Sequence, residues 1–227
     1  MGQFVDLKAA DGFVFPAYVA KPAGRPKAGI VVLQEIFGVN SHIRSVADGY
    51  AADGYLAVAP ATFHRVKQGV ELGYTAEDIS AGVALKAAVE GLSAPGVLPD
   101  IQAAIDHAAQ AGKVGVVGYC WGGLLTWRAA CGLKGLSAAV PSYGGGMTTA
   151  AEVARAAQVP VLAHFGELDQ SIPVETARAF AEAQPAVQVQ FYPANHGFNC
   201  DQRASYDASA SALARTRTLA FFGQHLG

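Results

Sequence analysis

Apolar residues fall along this chain in short runs separated by segments of helical periodicity. Residues 29–34, 55–59, 113–117, 136–143, 159–165 and 187–192 form such runs. Their length and continuity predict strands buried on both faces, as in a parallel sheet. Helical patterning occupies 42–53, a stretch starting near 75, 100–110, 124–131, a segment opened by Pro173 at its first turn, and an amphipathic closing segment at 205–222. Asn40 or Ser41 caps the first of these. Residues 4–7 and 13–20 alternate around Ala10-Asp11-Gly12, which predicts an N-terminal β-hairpin. Strand and helix alternate throughout, so the expected fold class is α/β: one domain over 1–227, with a mostly parallel sheet and helices on both faces. Residues 61–99 are the least regular and are the expected pocket wall or lid.

Composition narrows the function classes. The 227 residues are 52% hydrophobic and 15% charged, with a formal net charge of −2. That balance suits a large buried sheet and offers no basic stripe for a polyanion. No zinc-type cysteine spacing or nucleic-acid motif is present. The first six residues lack a basic start and an apolar stretch, so no leader is expected. Asp6 breaks the myristoylation pattern, and no apolar run is long enough for a bilayer. The sparse, odd set Cys120, Cys131 and Cys200 suits a reducing compartment. The expectations are therefore a cytoplasmic monomer acting on a small molecule, with no nucleic acid, membrane, metal or cofactor.

The chemistry is concentrated at residues 118–123, Gly-Tyr-Cys-Trp-Gly-Gly, between the apolar run at 113–117 and the helical segment at 124–131. Strand, sharp turn and helix around G-x-S-x-G make a nucleophile elbow, and here Cys120 stands where serine is usual. Gly118 and Gly122 supply the lack of a Cβ that the turn needs, and the helix N-terminus aims its amides at the nucleophile. A thiol nucleophile needs a base and a group to orient it. In chain order the acid comes next, and Asp169 follows the 159–165 run directly, with Glu167 as the fallback. His196 follows the last strand and is the candidate base. Both sit where open α/β sheets build their sites, at the C-terminal ends of strands. The oxyanion donors are expected at the backbone N–H groups of Trp121 and of Ile36, the latter in the loop 34–40 where Gly38 permits close approach. Cys131 and Cys200 read as structural, His164 as a structural histidine within a strand, and His42 carries no motif context.

Four segments together carry a resemblance: Gln-Glu-Ile-Phe-Gly-Val-Asn at 34–40, the elbow at 118–123, Gly-x-x-Asp at 166–169, and the late His-Gly-Phe at 196–198. They closely resemble the dienelactone hydrolase (carboxymethylenebutenolidase) family over essentially the whole chain. The resemblance implies an α/β-hydrolase fold and a Cys-His-Asp triad. It also implies hydrolysis of an enol-lactone to maleylacetate in chloroaromatic catabolism. Cys120 is then nucleophile, His196 base and Asp169 its orienting acid, through a thioester acyl-enzyme. Glu35 matches a family glutamate that contacts the resting nucleophile, where a carboxylate would disfavour the thiolate.

One departure bears on substrate. Well-known members hold the substrate carboxylate with two arginines, one of them four positions after the catalytic histidine. Here that position is Cys200, and no arginine lies around 78–81. Arg65 and Arg203 are the candidate replacements, and Phe37, Tyr74 and Phe198 the candidate pocket walls. The alternatives are hydrolysis of a different neutral ester or thioester, and a non-catalytic small-molecule binder or sensor on the same fold.

Overall fold

A computed structural model describes residues 2–227. Met1, the first residue of the stretch read for a leader, lies outside them. Eight strands form one sheet in the order β1-β2-β4-β3-β5-β6-β7-β8. They are β1 (Gln3–Lys8), β2 (Val14–Ala20), β3 (Gly29–Leu33), β4 (Leu56–Pro60), β5 (Val114–Tyr119), β6 (Leu136–Ser142), β7 (Val161–Gly166) and β8 (Val187–Tyr192). Strands β3 to β8 pair in parallel, and the hairpin β1–β2 joins them antiparallel through β2 and β4. Strands β3, β4, β5 and β7 are buried at every position. A strand covered on both faces has no polar side to alternate with, and for that reason they appear as unbroken apolar runs.

The helices are α1 (Ser41–Ala52), α2 (Ala76–Glu90), α3 (Leu98–Ala108), α4 (Trp121–Gly132), the single turn α5 (Ala150–Val153), α6 (Val174–Ala183) and α7 (Ala208–Leu226). Helices α1 and α7 share one face of the sheet, where Tyr50 meets Phe222 edge-on at 6.3 Å. Helices α3, α4 and α6 cover the other. There Trp127 of α4 packs edge-on against Phe180 of α6 at 5.2 Å, and α3 lies beside α4. Among the described residues no helix is long and apolar enough to cross a membrane.

Several boundaries move from the sequence expectation for identifiable reasons. Asn40 is the cap of α1, its side chain accepting from the Ile43 amide. Helix α4 begins at Trp121 rather than near 124 because the chain turns straight from β5 into helix through Cys120. Pro173 is the cap residue of α6 and stands just outside it. Helix α7 starts at Ala208 rather than 205, where the Asp207 carboxylate accepts from the Ala210 amide. In the irregular stretch, α2 is closed by a capping box in which Thr75 and Asp78 satisfy each other's backbone N–H groups. Only Gly82 and Val89 of α2 are buried.

His164 is the structural histidine expected. It is buried within β7 between the hydroxyls of Tyr192 (2.9 Å) and Thr218 (3.0 Å). Burial pushes its imidazole down to about 3, helped by the nearby Arg217 charge. It is therefore a neutral bridge between β7, β8 and α7.

Candidate active site

The site is assembled where β5 ends. Cys120 follows directly and adopts φ 54° and ψ −120°, a left-handed conformation that a residue with a Cβ avoids. Such a residue costs on the order of 1–3 kcal/mol and persists only where its surroundings impose it. Here the Cys120 N–H donates to the Ser142 carbonyl at 3.1 Å, and its own carbonyl accepts from the Gly123 N–H at 2.9 Å. The two motif glycines are required by close approach of backbone. A Cβ on Gly118 would overlap the Gly122 carbonyl and the Thr126 hydroxyl, and one on Gly122 would overlap the carbonyls of Leu33 and Gln34. Behind the turn, Trp121 is anchored by its indole N–H donating to Glu90 Oε1 at 2.8 Å. Its ring also stacks on Phe63 at 5.0 Å.

Asp169 and His196 meet at the ends of β7 and β8. Asp169 Oδ1 accepts from the amides of Ser171 (2.8 Å) and Ile172 (3.1 Å), which fixes the carboxylate. Its Oδ2 lies 2.7 Å from His196 Nδ1. With Nδ1 engaged as donor, the imidazole presents Nε2 as its other functional atom. The ring rests edge-on against Tyr143 at 5.2 Å. Burial opposes charging of His196, but the Cys120 sulfur charge and the Asp169 hydrogen bond outweigh it and raise the group to about 10. Glu167, the fallback acid, faces outward and pairs with Arg178 at 2.8 Å.

Two amides lie free beside the elbow. Among the described residues, neither the Trp121 nor the Ile36 backbone N–H has a hydrogen-bond partner. Both flank the β3 and β5 ends, which are adjacent and parallel. The loop carrying Ile36 is pinned from two sides. Gly38, at φ 82°, packs against the Val70 carbonyl where a Cβ would collide, and Gly82 of α2 does the same against the Ile36 carbonyl. Helix α2 thus packs directly against the loop that carries Ile36.

Glu35 is 1% exposed. Its Oε1 accepts from Arg203 Nη1 at 3.4 Å and its Oε2 from the Tyr74 hydroxyl at 3.5 Å. Among the described residues no hydrogen bond joins it to Cys120. In place of the expected guarding contact, Glu35 pairs with an arginine, the kind of partner a buried carboxylate requires.

The chain is similar to known proteins over nearly its whole length. A model of the dienelactone hydrolase family matches residues 15–226. A Synechocystis sp. protein assigned as a carboxymethylenebutenolidase is 37% identical, with 92% of this chain and 91% of that protein covered. The carboxymethylenebutenolidase of Pseudomonas putida is 34% identical, with 96% and 94% covered. The crystal structure of a Klebsiella pneumoniae protein assigned to the dienelactone hydrolases superposes with a TM-score of 0.80 at 31% identity, covering 98% of this chain and 99% of that one.

This chain belongs to the dienelactone hydrolase family. It is a hydrolase on the α/β-hydrolase fold, as the four motif segments implied.

In this member of the family, the residues expected to touch substrate separate into two groups. Arg203 is at the site. Its guanidinium reaches Glu35, lies 5.7 Å from the Phe37 ring centroid, and occupies the space a Cβ on Gly197 would need. Tyr74 is beside it, edge-on to Phe37 at 4.6 Å and accepting from the Asn40 side chain at 3.1 Å. Arg65 is instead engaged by two carboxylates, Asp100 at 2.6 Å and Asp11 at 2.8 Å, and packs on Phe13. That corrects its candidacy: its donors hold the hairpin turn to α3. Phe198 is likewise core, fully buried between Tyr143 (5.1 Å) and Tyr192 (5.2 Å). Phe37 is buried too and supports Tyr74 and Arg203 from beneath.

Sequence reasoning missed His42. It is buried at the start of α1, and one of its ring nitrogens lies within 4.8 Å of the Glu35 carboxylate and the Cys200 sulfur. No local spacing links these three residues, because each comes from a different loop or helix start.

Proposed function

We propose that this enzyme hydrolyses a small lactone or carboxylic ester through a thioester on Cys120, with His196 and Asp169 completing a triad. The observation that carries the reading is the strained Cys120 backbone at φ 54°, set beside a His196 whose Nδ1 is fixed on Asp169 at 2.7 Å. Strain of this kind is retained where it aims an atom.

The chemistry follows from the charges. A raised His196 favours the imidazolium, and its counter-charge is sulfur. The Cys120 sulfur attacks the carbonyl carbon, and the oxygen takes up charge facing the Ile36 and Trp121 amides. Collapse breaks the carbonyl–oxygen single bond. The departing enolate or alkoxide takes the proton from His196 Nε2, which leaves a thioester and a neutral imidazole. The sulfur charge has then vanished, and with it the chief influence that raised His196. Burial now favours the neutral ring, which removes a proton from water as it attacks the thioester. The second collapse expels the sulfur with its electron pair and releases the acid. The protonated His196 and the thiolate are restored, and the net change is ester plus water to acid plus alcohol.

Arg203 is the cation placed to receive a substrate carboxylate, since the expected position four after His196 holds Cys200. Its present partner, Glu35, is at 3.4 Å and exchangeable. That favours a lactone bearing a carboxylate, of which carboxymethylenebutenolide is the type. A second reading, a neutral ester, is favoured by the same ion pair, because Glu35 already balances the Arg203 charge.

The test is intact-protein and peptide mass spectrometry on enzyme quenched during turnover of a small activated ester. The expected result is an acyl adduct confined to the peptide containing Cys120, appearing and decaying at the turnover rate. Turnover without any adduct, or an adduct elsewhere, overturns the thioester. An adduct that never decays identifies a binder.

A further inference from the structure

Three lone-pair donors converge behind the Glu35 loop, and two of them, Glu35 and His42, are poorly satisfied. The Glu35 carboxylate is 1% exposed, yet its two side-chain hydrogen bonds, at 3.4 Å to Arg203 and 3.5 Å to Tyr74, lie at the outer limit of useful length. His42 is 3% exposed, and its Nε2 is buried with no hydrogen-bond partner among the described residues. The Cys200 sulfur is fully buried and unpaired with another cysteine. One donor atom from each lies within 4.8 Å of the others. Buried polar atoms are nearly always satisfied, so an orphaned imidazole nitrogen on a ring that reaches a poorly held carboxylate calls for a ligand.

We propose that Glu35, His42 and Cys200 form a binding site for a thiophilic divalent cation of the Zn²⁺ type. A carboxylate, an imidazole and a thiol are the donors such an ion accepts, and the thiol discriminates against Mg²⁺ and Ca²⁺. In a tetrahedral Zn²⁺ shell, neighbouring donor atoms stand about 3.5 Å apart, from bond lengths of roughly 2.0–2.3 Å. Donors now within 4.8 Å reach that separation by small side-chain movements. A fourth position is left for water.

The outer shell is in place. His42 Nδ1 lies 3.2 Å from Asp201 Oδ1, the carboxylate–imidazole arrangement that fixes the tautomer and leaves Nε2 unprotonated for a metal. A cavity of about 230 Å³, lined by His42, Asp201, Asn199, Tyr206 and Arg215 among others, opens on the His42 side. The ion competes with Arg203 for Glu35, and that contact is long enough to yield. A thiol must lose its proton to ligate a metal ion. Binding must therefore expel one proton. The charged and titratable groups facing this sulfur are Glu35, Tyr74 and Arg203.

The test is Co²⁺ titration of the full-length Cys120→Ala protein, so that the nucleophile cannot contribute a thiolate. The expected result is a near-ultraviolet sulfur-to-cobalt charge-transfer band at one equivalent. Zn²⁺ should erase the band and excess Mg²⁺ should leave it. Affinity near neutral pH should rise about tenfold per pH unit, as one thiol proton is released. Cys200→Ser should remove the band. His42→Gln, and Asp201→Asn by about 10- to 100-fold, should weaken binding while retaining the band at saturation. The last two variants keep the test valid if Cys200→Ser fails to fold. No band, a band surviving Cys200→Ser in folded protein, affinity independent of pH, or unchanged affinity in both His42→Gln and Asp201→Asn overturns the site.

Discussion

The Arg203 guanidinium holds the Glu35 carboxylate at 3.4 Å, across 168 residues of chain. In the proposed reading this contact governs the charge available to a substrate.

Replacing Arg203 with Gln removes that cation from the site. For a lactone bearing a carboxylate, KM should rise by about 10- to 100-fold, the loss expected of a charge-assisted contact. For a neutral ester of similar size KM should change little. Steady-state kinetics on the matched pair decides the matter, and equal effects on both substrates would remove Arg203 from carboxylate recognition.

Asp169→Asn should leave the fold intact and lower kcat by about 10³–10⁴-fold, because the amide orients the wrong imidazole tautomer. Glu167→Gln should retain wild-type turnover, since its carboxylate faces solvent and Arg178. A loss confined to Glu167→Gln would exchange the two assignments.

His196 titrates near 10 because burial is outweighed first by the Cys120 charge and then by Asp169. Nuclear magnetic resonance of the ring should find a midpoint far above the ordinary value of about 6.5. In Cys120→Ala the midpoint should fall. The sign for stability follows from a folded value above the unfolded one. The contribution is full below about pH 6.5 and is lost as pH rises through about 10. Denaturant unfolding should therefore show wild type losing more stability than Cys120→Ala over that interval, and parallel losses would deny the ion pair.

Arg65→Ala should be a stability variant and leave kinetics unchanged. It strands Asp100, whose side chain is 1% exposed, without its bidentate partner. Breaking a buried pair from one side costs about 3–5 kcal/mol. The expected result is a lower unfolding midpoint with kcat/KM of the folded protein unaltered. A selective rise in KM for carboxylate substrates would return Arg65 to the site.

Much of this was legible in the chain because it depends on local rules. The buried strands announced themselves as apolar runs, and the elbow declared itself through glycines that permit close backbone approach. Asp169 and His196 followed from their places after β7 and β8. Helix starts were less legible. Whether α4 begins at 121 or 124 depends on how Cys120 is twisted by Ser142, a partner on another strand.

The sequence by itself determined the sheet, the thiol at the elbow and the order of its helpers, because each rests on spacing within a few residues or on a strand's burial. Only the tertiary structure decided what Arg65, Arg203, Glu35, His42 and Cys200 do. The side-chain partners of Arg65, Arg203, Glu35 and His42 lie from 35 to 168 residues away. A charged or ligating side chain takes its meaning from the groups that surround it in a low-dielectric interior. Those groups come together only when the loops at the strand ends converge.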